Sequence, residues 1–330
     1  MQTSFEQIDS MVQGYRAAQV VLTANRLGLF ALIGSGRLNL EMISEGLGTD
    51  RRGTRILCDA LAALSLLEKT DGKYRNSPAS SRFLLPDSPE SRVSGLLHAA
   101  TQYEKWGGLL DAVIQGRPTP GERIDPRLRS GPEEFARAMA DIGRVSAAET
   151  SGHLDLGGGG RMLDIGGGPA VYAIEFARKW PRLTVEVLDD AETLKTASEN
   201  IRQSGLSGRI HLIAGDVFKT PLDSGYDFVF VSNLVHIYSY EKNTELLAKC
   251  AEALKSGGEI CIKDFILDSN RISPPGAALF AVNMLVSTES GDCYTEQQVI
   301  SWFEKAGIQF ARSDVLTNQT KLMFGRKVNC

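Results

Sequence analysis

Five short apolar runs follow one another with helical patterns between them: RMLDI (161–165), LTVEVLD (183–189), IHLIAGD (210–216), DFVFVSN (227–233) and EICIKDFIL (259–267). The intervening helices are expected at 170–180, 191–204 and 241–256, with one more at 295–306 that Thr295 and Gln298 open as a capping box. LTNQTKLMFGRK (316–327) reads as a final strand. Apolar strands alternating with helices predict an α/β fold, a mostly parallel sheet with helices on both faces. Right-handed crossovers then place every strand's C-terminal end on one edge, where ligands bind.

The first hundred residues have a different rhythm. VVLTANRLGLFALI (20–33) predicts a helix ending at Gly34 and Gly36, and LNLEMISEGLG (38–48) a short one stopped by Gly46 and Gly48. TDRRGTRILCDALAALSLL (49–67) starts on a polar cap and is expected to bury Ile56, Leu57, Ala60, Leu61 and Leu64. LLEKTDGKYRNS (66–77) reads as a hairpin turning at Asp71-Gly72. Three helices and a hairpin are a winged-helix order. Residues 94–150 are helical with breaks at Gly107-Gly108 and RPTPG (117–121), and GGGG (157–160) punctuates the chain before the strands begin. The expected division is a winged-helix domain over 1–100 and an α/β domain over 101–330, whose segment 101–156 is a helical linker.

Length and composition bound the function. At 330 residues, 42% hydrophobic and 23% charged, the chain has enough apolar material for two cores. A net charge of −4 argues against nucleic acid as a partner. The cysteines, Cys58, Cys250, Cys261, Cys293 and Cys330, have no paired spacing, so no metal site is assigned and free thiols in a reducing compartment are expected. MQTSFEQIDSMVQGYR is too charged for a signal peptide, and the charge-free stretch between Arg271 and Glu289 holds Pro274, Pro275 and Asn283, a loop entering a buried helix. No membrane association and a cytoplasmic location are the expectations.

LDIGGGPA (163–170) closes the first strand. A dinucleotide fingerprint wants a third glycine where Val171 stands, and Asp164 is a poor neighbour for a pyrophosphate. A carboxylate there suits a cation. S-adenosylmethionine has no phosphate and carries an ammonium and a sulfonium, and glycines let its methionine part lie on the backbone at Gly166 and Gly168. Asp189 closes the second strand, where a carboxylate accepts ribose hydroxyls, and Asp216 with Val217 closes the third, where an acid beside apolar groups suits an adenine.

The order LDIGGG, VLD, GDVF, SNLVH, LKSGGE resembles the class I S-adenosylmethionine-dependent methyltransferases, and more narrowly the small-molecule O-methyltransferases of plant caffeate type and of bacterial natural-product pathways. The resemblance covers nearly the whole chain. It implies an N-terminal winged-helix dimerisation domain, a Rossmann-like catalytic domain, a homodimer, S-adenosylmethionine as cofactor with Ser232 at its site, and a small-molecule methyl acceptor. It also implies that His236, separated from DFVFVSN by Leu234 and Val235, is the general base. The family usually has Asp and Trp directly after this histidine, and Ile237 and Tyr238 stand here. Asp264 matches an acid flanking the base; its plain alternative is an ion pair with Lys263. Asp292 is a candidate second acid. Acceptor-lining positions fall at Phe135, Met139, Met284 and Thr288. A phenol, pKa about 10, is a weak nucleophile at neutral pH, and histidine, near ~6.5, suits the removal of its proton.

Three other readings stand beside this one. A nicotinamide enzyme conflicts with Val171 and Asp164. A DNA-binding regulator would use Arg51, Arg52 and Arg55, but Cys58, Leu61 and Leu64 continue that helix as an apolar stripe and the wing is of mixed charge. The same fold also serves carbon or nitrogen methylation. The acceptor itself is not named by any residue.

Overall fold

A computed structural model describes residues 3–118 and 131–328; Cys330 and residues 119–121 of the RPTPG break lie outside them. The described residues form two units, one reaching to Tyr103 and one from Glu104 onward.

The first unit holds α1 (Phe5–Gln13), α2 (Tyr15–Arg26), α3 (Leu29–Ile33), β1 (Leu38–Asn39), α4 (Leu40–Leu47), α5 (Arg51–Ala63), β2 (Leu67–Thr70), β3 (Lys73–Asn76), α6 (Pro78–Phe83) and most of α7 (Val93–Trp106). Asp71 and Gly72 both take positive φ, 51° and 73°, as a two-residue hairpin turn between twisted strands requires. Three sequence expectations change. The helix over 20–33 is two helices, because Gly28 at φ 72° ends the first. Leu38 and Asn39 pair antiparallel with Tyr74 and Lys73, so the expected hairpin gains a third strand. On α5 the inward side chains are Thr54, Cys58 and Leu61, spaced i, i+4, i+7, whereas Ile56 and Leu64 are 45% and 43% exposed.

The second unit holds α8 (Leu109–Gln115), α9 (Pro132–His153), β4 (Gly160–Ile165), α10 (Val171–Lys179), β5 (Leu183–Asp189), α11 (Thr193–Ser204), β6 (Ile210–Ala214), β7 (Tyr226–Ser232), α12 (Tyr240–Ala253), β8 (Leu254–Asp264), α13 (Pro275–Leu285), α14 (Glu296–Lys305), β9 (Ile308–Val315) and β10 (Lys321–Lys327). The strand order is β6-β5-β4-β7-β8-β10-β9. The first five strands of that order are parallel, and β10 and β9 are antiparallel additions. β9 is a strand the sequence did not predict. β8 starts five residues before the expected 259 and stops at Asp264, so Phe265–Leu267 leave the sheet.

Side chains alternate across the sheet. One face packs Met162, Phe228, Phe230 and Cys261 against Tyr172 and Phe176 of α10. The other packs Leu163, Val229, Val231 and Ile262 against Leu246 of α12 and Trp302 of α14. Burying a side chain such as Phe230 stabilises by about 1.5–3 kcal/mol, which fixes strand register and with it every residue at the strand ends. Strand order reverses at β4: β5 and β6 run to one side, β7 and β8 to the other. The crevice at the C-terminal ends of β4 and β7 is the topological switch point where ligands bind in such sheets.

Candidate functional site

The glycine loop leaves β4 at that switch point. Gly166 and Gly168 take φ 68° and 53°, and Gly167 is hemmed in. A Cβ at Gly167 would lie 2.5 Å from Asp164 Oδ2 and 2.7 Å from Val187 Cγ1, so no larger residue fits without moving the strand. The sequence pointed to the two flanking glycines and missed this one. Asn200 of α11, also missed, donates from Nδ2 to the Pro169 carbonyl at 2.9 Å and ties the loop from outside.

Asp164 is 1% exposed, and neither of its carboxyl oxygens has a hydrogen-bond partner among the described residues. Burial pushes its pKa up to about 8, and the nearby charge of Asp189 adds to the push. Asp189, at the end of β5, accepts from the Gly168 N–H at 2.8 Å and from the Asp190 N–H at 2.7 Å. Burial raises it to about 6 in spite of those bonds. A carboxylate offers about four acceptor positions, so Asp189 keeps two after bracing the loop. Asp216 turns back on itself: Oδ1 accepts from Phe218 N–H at 2.9 Å and Oδ2 faces Lys219 at 3.3 Å. The Phe218 hydrogen bond holds its carboxyl below the usual range. Val217 is buried beneath it, and Phe218 meets Tyr238 edge-on at 5.0 Å. Ser232 ends β7, buried, with Oγ accepting from Asn233 Nδ2 at 2.9 Å. An orphaned buried carboxylate, a backbone with no room for side chains and a half-used acid at the next strand end together fit a cationic nucleoside such as S-adenosylmethionine.

Past β7 the chain makes one 3₁₀ turn, Val235–Ile237. It is pinned from three sides. Asn243 Nδ2 donates to Val235 O at 2.8 Å, the Tyr294 hydroxyl donates to Tyr238 O at 2.5 Å, and Asp292 N–H donates to His236 O at 3.1 Å. His236 is 8% exposed, and its Nδ1 lies 2.7 Å from Asp264 Oδ1. Burial works to raise Asp264, but the charge and hydrogen bond of His236, with the Phe265 N–H at 2.7 Å, hold it below the usual carboxylate range. An ionised carboxylate only accepts, so Nδ1 carries a hydrogen, and in the neutral imidazole that leaves the lone pair on Nε2. Phe280 of α13 meets the imidazole edge-on at 4.9 Å and stacks on Phe265 at 3.9 Å.

His236 and Asp264 come together, and the alternative of an Asp264–Lys263 ion pair is not what forms. Ile237, where the family has an acid, is 41% exposed and takes no part in holding the histidine. Asp292 gives its carboxylate to Arg271 at 2.6 Å and acts on His236 only through the backbone. Met284 is buried one turn beyond Phe280. Thr288 is spoken for: its hydroxyl donates to Met284 O at 2.8 Å and accepts from Gly291 N–H at 3.0 Å. Phe135 and Met139 sit on α9, exposed and half-buried. Phe280 was not picked from the sequence; its signal was an aromatic one turn before Met284 on an otherwise aliphatic helix.

Comparison with known proteins gives a consistent picture. Residues 125–309 match the model of an O-methyltransferase domain, and residues 10–86 that of an O-methyltransferase dimerisation domain. The chain is 31% identical over 313 residues to a 3-hydroxy-5-methyl-1-naphthoate 3-O-methyltransferase of Streptomyces sahachiroi, covering 93% of this chain and 90% of that one. It is 32% identical over 267 residues to the N,N-dimethyltransferase OxyT of Streptomyces rimosus, covering 78% and 77%. The crystal structure of human N-acetylserotonin methyltransferase in complex with S-adenosylmethionine superposes with a TM-score of 0.85 at 27% identity, over 100% of this chain and 99% of that one.

Proposed function

The chain belongs to the family of S-adenosylmethionine-dependent O-methyltransferases, and from that premise we propose that it methylates a hydroxyl of a small aromatic, natural-product-like molecule with His236 as general base. The observation that carries this reading is the buried His236–Asp264 pair, its Nε2 left to face an acceptor. When bound, S-adenosylmethionine supplies a methyl group already electrophilic on sulfur. The protein's tasks are to align the acceptor and to remove its proton.

In this reading Gly166, Gly167 and Gly168 give the cofactor a flat backbone, Asp164 faces its ammonium, and Asp189 takes the ribose diol with its two remaining acceptor positions. Val217 and Phe218 pack on the adenine, Asp216 stands near its amino group, and Ser232 lines the methionine end. Asp264 holds the imidazole in one tautomer, Nε2 accepts the hydroxyl proton, and the Phe280 ring fixes the plane of the imidazole and excludes water behind it. Phe135, Met139, Phe280 and Met284 line the acceptor, with Thr288 shaping the turn beneath it. Incubation of the purified protein with methyl-labelled S-adenosylmethionine and a panel of hydroxynaphthoates and phenols is expected to give an O-methyl product by mass spectrometry. Label found only on the nitrogen of matched arylamines would replace the hydroxyl by a nitrogen acceptor, the reaction that the name of OxyT describes.

The dimerisation-domain match also supports a homodimer through residues 1–100, with 101–330 as the catalytic part. α1 buries none of its side chains, and Phe5, Met11 and Val12 are 75%, 74% and 66% exposed. Such a face is stable in water when a second surface covers it. Light scattering at micromolar concentration is expected to give twice the chain mass; a monomer there removes this part of the reading. No helix among the described residues is long and apolar enough to cross a membrane, and the thiols of Cys58, Cys250, Cys261 and Cys293 are free and buried. Both are compatible with the cytoplasm, where we place the protein.

A further inference from the structure

Lys263 is 1% exposed, yet its ammonium has no hydrogen bond or ion pair among the described residues. Its described neighbour is the ring of Tyr172, 5.6 Å from Nζ. Lys321, another buried lysine, shows the usual arrangement, with Asp268 at 2.7 Å and Glu296 at 3.5 Å. Buried charges are ordinarily paired, because an unpaired one loses its hydration with nothing in return. The adjacent Asp264 points through the opposite face of the sheet to His236 and is no partner.

The position of Lys263 says what the partner is. It pairs with Ser232 across β7 and β8, while Asp164 pairs with Phe230 across β4 and β7. Alternation puts Asp164, Ser232 and Lys263 on the same sheet face, the one that packs on α10, at the C-terminal edge of the switch point. Two side chains without a hydrogen-bond partner among the described residues therefore flank β7, one a carboxyl and one an amine, and neither satisfies the other. The amino-acid end of S-adenosylmethionine carries one ammonium and one carboxylate on the same carbon. We propose that Lys263 is a cofactor-binding residue that takes the α-carboxylate, while Asp164 takes the α-ammonium. This rests on the placement of the cofactor on the glycine loop proposed above.

The test needs no variant to begin with. Calorimetric titration of the full-length protein with S-adenosylmethionine and with decarboxylated S-adenosylmethionine, which keeps the amine and sulfonium but lacks the carboxylate, is expected to give at least tenfold tighter binding of the former. In K263M that preference is expected to collapse to within about twofold, by weaker binding of S-adenosylmethionine alone, and K263R is expected to restore part of it. Equal binding of the two ligands by the wild type overturns the proposal. So does a K263M variant that weakens both ligands alike, or neither. If Asp189→Ala binds S-adenosylmethionine as the wild type does, the placement itself fails and the proposal falls with it.

Discussion

Replacement of His236 by alanine is expected to lower kcat by about 10²–10⁴-fold toward a phenolic acceptor and to leave the affinity for S-adenosylmethionine within about twofold. The separation of the two effects follows from position. His236 stands past the end of β7 in a turn of its own, and the glycine loop is held by Asp189 and Asn200, neither of which touches it. The loss falls on kcat because proton removal is needed only as the new bond to the acceptor oxygen forms. Asp264→Asn is expected to cost less. The ring is still packed against Phe280, while the charge that stabilises the developing imidazolium, and the carboxylate that can only accept from Nδ1–H, are gone. The pH profile gives an independent check. The Asp264 carboxyl is held below the ordinary ~3.9, so it stays ionised throughout an assay between pH 5 and 9 and contributes no limb there. A rise of rate with pH in the wild type then belongs to His236 or to the acceptor. It should vanish in His236→Ala if it is the histidine's. Near-normal turnover with an unchanged profile would sink the base assignment and leave His236 as a shaper of the pocket.

Some of this was open to reading in the sequence, for a physical reason. Parallel strands buried on both faces have to be apolar, so polar residues that break the run at a C-terminal end are conspicuous; hence Asp164, Asp189, Ser232 and Asp264 stand out against Leu, Val and Ile. β9 does not stand out. It is an edge strand, IQFARSDV, in which Gln309, Arg312, Ser313 and Asp314 interrupt the apolar residues, so no apolar run marks it. β1 is two residues long and exists only because β3 lies beside it, a non-local cause that no local pattern carries. Ile56 and Leu64 invite burial by their chemistry, but Thr54, Cys58 and Leu61 take the inward face of α5 and leave them facing out. Phe280 and Gly167 matter through what they touch across the fold, and sequence spacing is blind to that. Lys263 was within reach. Neighbours in a strand point to opposite faces, so pairing it with Asp264 was geometrically excluded from the start.

Asp164→Asn is expected to stabilise the ligand-free protein at pH 8 and to weaken its binding of S-adenosylmethionine by about tenfold or more, two effects of opposite sign from one atom pair. Asp164 is an acid whose folded pKa, about 8, lies above its unfolded value of ~3.9. The folded state therefore holds a proton that the unfolded state has released. Stability is full below the unfolded value and declines as pH rises through this window, levelling off above about 8. At 1.36 kcal/mol per unit the decline amounts to several kcal/mol at most, an upper bound because Asp189, raised to about 6, titrates with it as a coupled pair. Asparagine has the same shape and no charge to bury, so the variant should lose most of this slope. Melting temperatures of both proteins between pH 5.5 and 8.5 check it, with the wild type falling more steeply toward high pH. The same carboxyl explains why binding should release a proton. A cofactor ammonium beside Asp164 takes over the role of the proton that burial had forced onto it. Titration at pH 7 in two buffers of different ionisation enthalpy should then show proton release for the wild type and almost none for Asp164→Asn. If the variant melts in parallel with the wild type across the range and releases the same number of protons, Asp164 is not the group that trades a proton for the ligand's charge. The orphaned oxygens would then need another partner.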